Sequence, residues 1–284
     1  MNAPANLQNA LTEYLICPHC RHIKEAALAY RHTPTRTTLE CTVCKRCYPI
    51  VDDIIDFCPG IEQRSGIGLA QKFMEHKGVV SIYERYFRPA FTRLGSSIKY
   101  DEEIQWLSRI PTGIPVTAAL DLACGTGKYS RLMYRLYRPR FVFAVDISLA
   151  MLQKAAACSM EKGRDHIIYI RGDAGALPLR SGMVQRANCF GALHLFPDVT
   201  GAIGEIARIL SGGAAFSCLT SRQTNGFFIN AGQSVFSRLF SFHFFDEDWL
   251  EKALATAGFE LEEKEHKNMV LLFCGRKKVS SVET

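Results

Sequence analysis

No stretch of these 284 residues approaches the roughly 18 consecutive apolar residues that a membrane-spanning helix needs. Met1–Gln8 also lacks the basic-then-apolar pattern of a secretory leader. The expectation is a cytoplasmic protein. Internal repeats and low-complexity tracts are missing as well, which gives no sign of a solenoid. A large charge excess is absent too: 34 basic and 28 acidic side chains leave a formal +6. The excess sits in the middle of the chain. Residues 1–60 carry six of each sign, 61–140 carry thirteen basic and seven acidic, and 141–284 carry fifteen of each.

With 48% hydrophobic residues, the chain can bury a full core, and its length suits one large domain with a small appendage. Three stretches separate by composition: a cysteine-rich module over 1–60, a helical aromatic and basic linker or substrate cap over 61–110, and alternating strands and helices over 111–284. Gly60 to Gly68 reads as the linker proper.

Eleven cysteines in a reducing compartment are not a disulfide framework. Four of them form two C-x-x-C pairs, Cys17–Cys20 and Cys41–Cys44, spaced as two knuckles that close one tetrahedral zinc site. A redox dithiol is the other reading of either pair alone. Cys47 offers a second pairing with Cys44, but it adjoins Tyr48-Pro49-Ile50, where a strand should begin. His19 and His22 read as surface residues beside a knuckle. Four thiolates fill the zinc shell and leave no open position, so the expected role is structural, a staple for a module too small to fold on its apolar area. Four thiolates and one Zn2+ add about −2 to this segment. Such a module is a poor electrostatic footprint for nucleic acid.

Apolar periodicity predicts strands near Thr117–Leu122, Phe141–Val145, His166–Arg171, Gln185–Phe190, Ala214–Cys218, Glu260–Glu265 and Met269–Cys274. Helices are predicted over Tyr129–Tyr137, Ser148–Lys162, Val199–Leu210 and Asp246–Ala257. The alternation implies an α/β, doubly wound, largely parallel sheet with ligands at the carboxyl ends of its strands. No helix separates the last two strands, so they should pair antiparallel.

The first of these strands runs into Asp121-Leu122-Ala123-Cys124-Gly125-Thr126-Gly127 and then a helix. Gly125 and Gly127 let backbone approach a ligand. A dinucleotide fingerprint needs a third glycine, and Ser130 stands there instead. Asp146 ends the second strand, where a carboxylate can accept from both ribose hydroxyls. Asp173-Ala174 ends the third, where a carboxylate and the next amide can meet an adenine edge. Each aspartate alone could equally be a cap or turn residue.

Ala119–Gly127, Ala144-Val145-Asp146, Gly172-Asp173-Ala174 with Leu177-Pro178-Leu179, and Gly191-Ala192-Leu193-His194 resemble successive motifs of the class I methyltransferases, notably the quinone-biosynthesis C-methyltransferases. The resemblance implies a Rossmann-like seven-stranded sheet with an antiparallel last strand and S-adenosylmethionine as cofactor. It places Asp121 and the Gly125–Gly127 turn at the methionine portion, Asp146 at the ribose and Asp173 with Ala174 at the adenine, with Ala123, Ile147 and Phe190 completing the cofactor's surroundings. Ala123 stands where the family usually has glycine. Ribbon included, the chain is similar to plant-plastid and cyanobacterial methyltransferases that join a zinc ribbon of the tRNA-methyltransferase-activator type to this domain.

His194 follows the fourth strand and is the candidate general base; the alternative is a histidine that only shapes the pocket. The sequence lacks an Asn/Asp-Pro-Pro-aromatic motif and a Pro-Cys pair after that strand, which argues against amino-methylation of adenine and against a cytosine C5 mechanism. Phe227, Phe228, Phe236, Phe240, Phe242, Phe244 and Phe245 crowd the connection after the fifth strand and suit an apolar or aromatic acceptor. Lys72–Arg93 adds further aromatics and arginines, which read equally as an amphipathic helix capping the sheet. The leading expectation is methylation, on carbon or oxygen, of a small hydrophobic or aromatic metabolite, with the ribbon bracing the domain or contacting a protein partner or second copy. The alternatives are a ribosomal-RNA guanine methyltransferase, and a cofactor-binding protein that transfers no methyl.

Overall fold

The structure is a computed structural model and describes residues 5–23, 25–60, 104–107, 113–160, 166–224 and 242–279. Most of the expected 61–110 cap, and Phe227, Phe228, Phe236 and Phe240, lie outside the described residues.

The N-terminal part comprises helix α1 (Ala5–Glu13) and strands β1 (Leu28–Thr33), β2 (Arg36–Cys41), β3 (Cys47–Val51) and β4 (Ile54–Asp56). The remainder follows as β5 (Ala118–Leu122), α2 (Lys128–Tyr137), β6 (Phe141–Asp146), α3 (Leu149–Met160), β7 (Ile167–Arg171), β8 (Val184–Phe190), α4 (Val199–Ile209), β9 (Leu210–Ser221), α5 (Glu247–Thr256), β10 (Phe259–Lys267) and β11 (Val270–Lys277). Every residue of β5, β6 and β7 is buried. Their near-continuous apolar runs are what a parallel strand covered on both faces requires. The side chains of Asp198 and Asp246 cap α4 and α5, accepting from Gly201 N at 2.8 Å and Trp249 N at 3.0 Å. Asn268, with φ 51°, supplies the left-handed residue of the β10–β11 hairpin turn.

The seven expected strands occur in the order β7-β6-β5-β8-β9-β11-β10. The final strand, β11, runs antiparallel to both neighbours. The sheet does not end at β7. β4 pairs parallel with it, Ile54 opposite Tyr169 and Asp56 opposite Arg171, and the ribbon strands continue the sheet to eleven strands among the described residues. Farther toward the N-terminus, Leu15 bridges Leu179, and Ile16 N donates to Pro178 O at 3.1 Å. Tyr14 packs its ring on Phe141 and Phe143. Leu15, Cys17, Leu39 and Tyr48 of the ribbon share one buried cluster with Leu120, Phe143 and Ile170 of the larger domain.

Candidate functional site: a cofactor pocket and a four-cysteine centre

The candidate cofactor residues converge at the carboxyl ends of β5, β6, β7 and β8, where the strand order reverses on either side of β5. The turn after β5 holds three residues in the left-handed region: Ala123 at φ 54°, Gly125 at 54° and Gly127 at 72°. A Cβ added at Gly125 would meet no protein atom within 4 Å, so that backbone faces open space. At Gly127 it would come within 3.1 Å of Ala155 Cβ. Helix packing crowds Gly127, while Gly125 leaves room for a ligand to approach the backbone.

Asp146 ties this turn to β6. Its Oδ2 accepts from Gly125 N and its Oδ1 from Ser148 N, both at 2.8 Å. Each oxygen keeps a second lone pair, which suits a ribose diol. Burial raises the carboxyl's pKa, and the amides of Ser148 and Gly125 oppose that rise. Asp121 is buried at the end of β5 and accepts from Ser130 Oγ at 2.5 Å. In the sequence Ser130 figures only as the break of a dinucleotide pattern; folded, its hydroxyl orients the first carboxylate of the turn. Asp173 is exposed, with Oδ1 accepting from Gly175 N at 2.9 Å, and Ala174 is half-buried beside it. Phe190 closes the end of β8, edge-on to Tyr129 at 4.9 Å between centroids.

Arg171 belongs to this site without any motif to announce it. Its Nε donates to Ile147 O at 3.0 Å, next to Asp146, while its Nη1 pairs with Asp56 of β4 at 3.3 Å. Both side chains of the pair are buried. The ribbon thereby reaches the loop that follows Asp146. A sequence cannot show this, because the partners lie 115 positions apart.

His194 sits on the short 3-10 turn Leu193–Leu195 and is 6% exposed. Its Nδ1 lies 3.3 Å from Thr220 Oγ1, and its ring lies 4.3 Å from the Phe242 ring. Its carbonyl accepts from His243 N at 2.8 Å. Burial first, then the His243 charge, pushes the imidazole pKa down to about 3. The Phe242 ring also lies 4.7 Å from that of Phe244, inclined at 45°, so two of the expected lid phenylalanines gather beside His194.

The Sγ atoms of Cys17, Cys20, Cys41 and Cys44 all lie within 4.8 Å of one another. Sulfurs about 2.3 Å from a tetrahedral zinc sit at such separations. Cys47 is exposed and outside the cluster, and no histidine joins it among the described residues. The hydroxyl of Tyr48 lies 3.1 Å from Cys17 Sγ. This donor set fits a structural zinc.

Comparison with known proteins matches two segments of the chain. Residues 120–218 match the family model described as a methyltransferase domain, and residues 8–53 match that of Trm112p-like proteins. A chloroplastic methyltransferase of Arabidopsis thaliana is 28% identical over 64% of this chain and 53% of its own length. A demethylmenaquinone methyltransferase of Staphylococcus aureus is 25% identical over 65% of this chain and 78% of its own. This chain spans between half and two thirds of the length of the two Arabidopsis relatives it matches. Among solved structures, a complex between the Haloferax volcanii Trm112 methyltransferase activator and a methyltransferase aligns with a TM-score of 0.55 at 18% identity, covering 70% of this chain and 97% of that one. The chain therefore joins a Trm112p-like, four-cysteine ribbon to a methyltransferase domain of the Rossmann-like methyltransferase fold.

Proposed function

We propose that the protein transfers a methyl group from S-adenosylmethionine to a small, hydrophobic or aromatic metabolite, at carbon or oxygen. The observation that carries this reading is the coupling of Asp146 to the glycine turn through Gly125 N at 2.8 Å, on the strand order of a methyltransferase sheet. When bound, the cofactor supplies an electrophilic methyl on a sulfonium. In this reading Asp121, held by Ser130, meets the methionine portion with the Ala123–Gly127 turn. Asp146 meets the ribose, with Ile147 beside it, and Asp173 with Ala174 meets the adenine, with Phe190 closing the pocket. The protein's remaining task is to align the acceptor and exclude water.

His194 is cast as a neutral positioning residue and not as a proton acceptor. A pKa near 3 leaves its basicity too low for general-base work at neutral pH. Phe242 and Phe244 beside it favour an apolar acceptor, as does the relationship to a demethylmenaquinone methyltransferase. The ribbon is assigned the work of a built-in brace, bonded to the cofactor loop through Asp56 and Arg171, in one chain where the Haloferax complex uses a separate activator. A cytosolic setting belongs to the same proposal and rests on cysteine usage, with Cys17, Cys20, Cys41 and Cys44 gathered as metal ligands and not as a disulfide framework.

The test is methyl-labelled S-adenosylmethionine incubated with the protein and, in parallel, an apolar metabolite extract and total RNA. Label in the apolar extract is expected, and label in RNA alone would overturn the acceptor assignment. Asp146→Ala should abolish cofactor binding in calorimetry while zinc content stays at one per chain. Unchanged affinity would remove the ribose assignment.

A further inference from the structure

A parallel strand buried on both faces should read as uninterrupted apolar residues, and β8 does not. Arg186 and Asn188 stand two residues apart on one face of it, and both are fully buried, at 0% exposure. Asn188 lies in register with Asp121 on β5 and Ser217 on β9, and Ser217 with Cys274 on β11. A polar row thus crosses four adjacent strands beneath α2 and residues 104–107, where Leu132, Leu107, Ala215 and Leu272 otherwise make an apolar layer.

Within that row Arg186 Nη2 donates to Ser217 Oγ at 2.7 Å, and the guanidinium lies 5.5 Å from the Tyr137 ring centroid. Among the described residues its Nε and Nη1 have no hydrogen-bond partner, nor have Nδ2 and Oδ1 of Asn188. No carboxylate pairs with Arg186 among the described residues. Asp121, on β5 in this row, is engaged by Ser130. A buried guanidinium cannot shed its proton, so unlike a lysine it cannot escape the cost of burial by becoming neutral. Water could satisfy the hydrogen bonds but would leave the charge uncompensated. A small anion supplies the counter-charge and accepts from the three donors, Arg186 Nε, Arg186 Nη1 and Asn188 Nδ2, leaving only the acceptor Asn188 Oδ1 outside its reach.

We infer that Arg186 and Asn188 form an interior site for one small monovalent anion of chloride size, bound between β8, β9 and α2. The ligand completes the charge balance of the sheet layer behind the cofactor pocket. It is acquired as the layer closes on folding, since neither side chain reaches solvent.

The test uses the full-length, zinc-loaded protein. Its thermal midpoint is followed against sodium chloride and sodium bromide, with sodium gluconate at matched ionic strength as the bulky anion. The halides should raise the midpoint by a few degrees with saturation, as a ligand of the native state does, and gluconate should not. In Arg186→Met this difference should vanish, with cofactor affinity within about twofold of the parent. An equal halide response in Arg186→Met, or equal responses to halide and gluconate in the parent, would overturn the inference. Should Arg186→Met fail to fold, bromide-grown crystals of the parent decide the matter. An anomalous peak within hydrogen-bond distance of Arg186 and Asn188 supports the site, and ordered waters alone refute it.

Discussion

Ala123 occupies a left-handed backbone conformation, φ 54°, in which its Cβ crowds the following carbonyl. Glycine would adopt the same angles without that clash, and relief of such strain is worth roughly 1 kcal/mol. Ala123→Gly is therefore expected to raise stability by about 0.5–1 kcal/mol and to leave cofactor affinity unchanged; chemical denaturation and calorimetry check the two halves. His194 offers a test of opposite kind. Its folded pKa is depressed from 6.5 to about 3, so the folded state resists a proton that the unfolded chain accepts. The stability tied to a neutral His194 is fully present above pH 6.5 and is lost as pH falls from there toward 3. Unfolding measured across that window should show a shallower acid loss in His194→Gln. The same variant should keep the parent's rate-against-pH profile between pH 6 and 8 if the imidazole only positions the acceptor. Loss of a titration in that range would return His194 to the role of base.

At the scale of elements, the β4–β7 junction is the contact with the widest consequence. Arg171 joins Asp56 on one side and the carbonyl of Ile147 on the other. Asp56→Ala strands a buried guanidinium, a change that costs about 3–5 kcal/mol. It should also weaken cofactor binding, because the loop after Asp146 loses its anchor. Replacing both partners with apolar residues, Asp56→Leu with Arg171→Met, should recover much of the stability, since a buried ion pair contributes little beyond a well-packed apolar pair. Cofactor affinity should stay low in that double variant. Recovery of affinity together with stability would show that the Arg171–Ile147 bond plays no part in holding the loop. Glu205 of α4 makes a second tie, accepting from Arg21 at 3.2 Å, Arg208 at 2.8 Å and the amide of Leu177 at 2.8 Å.

For the whole molecule, one sheet of eleven strands and a core cluster shared across ribbon and domain imply one cooperative unit. Zinc removal should therefore propagate. Chelation is expected to lower the unfolding midpoint of the entire protein and to reduce cofactor affinity, in calorimetry and circular dichroism alike. A ribbon that unfolded in its own early transition, with the larger domain unchanged, would contradict the brace. No helix among the described residues is long and apolar enough to cross a membrane. The ribbon's acidic residues equal its basic ones in number, so RNA affinity with a steep salt dependence is not expected.

Sequence alone determined what depends on short spacing. Cys17, Cys20, Cys41 and Cys44 declare themselves because two knuckles need only neighbours in the chain, and their sulfurs do meet within 4.8 Å. The glycine turn, and the aspartates that end successive strands, follow from local pattern at the ends of buried parallel strands, and the antiparallel β10–β11 hairpin follows from the lack of a helix between its strands. Tertiary structure decided what depends on contacts between distant segments. Strand pairing carries no local code for its partner, so the joining of Ile54–Asp56 to Tyr169–Arg171 was not legible in either segment. The protonation state of His194 needed its burial, and the meaning of Ser130 needed the position of Asp121. In sequence Arg186 is one unremarked residue of the strand predicted over Gln185–Phe190; only the closed layer around it makes its charge a problem that the folded protein must solve.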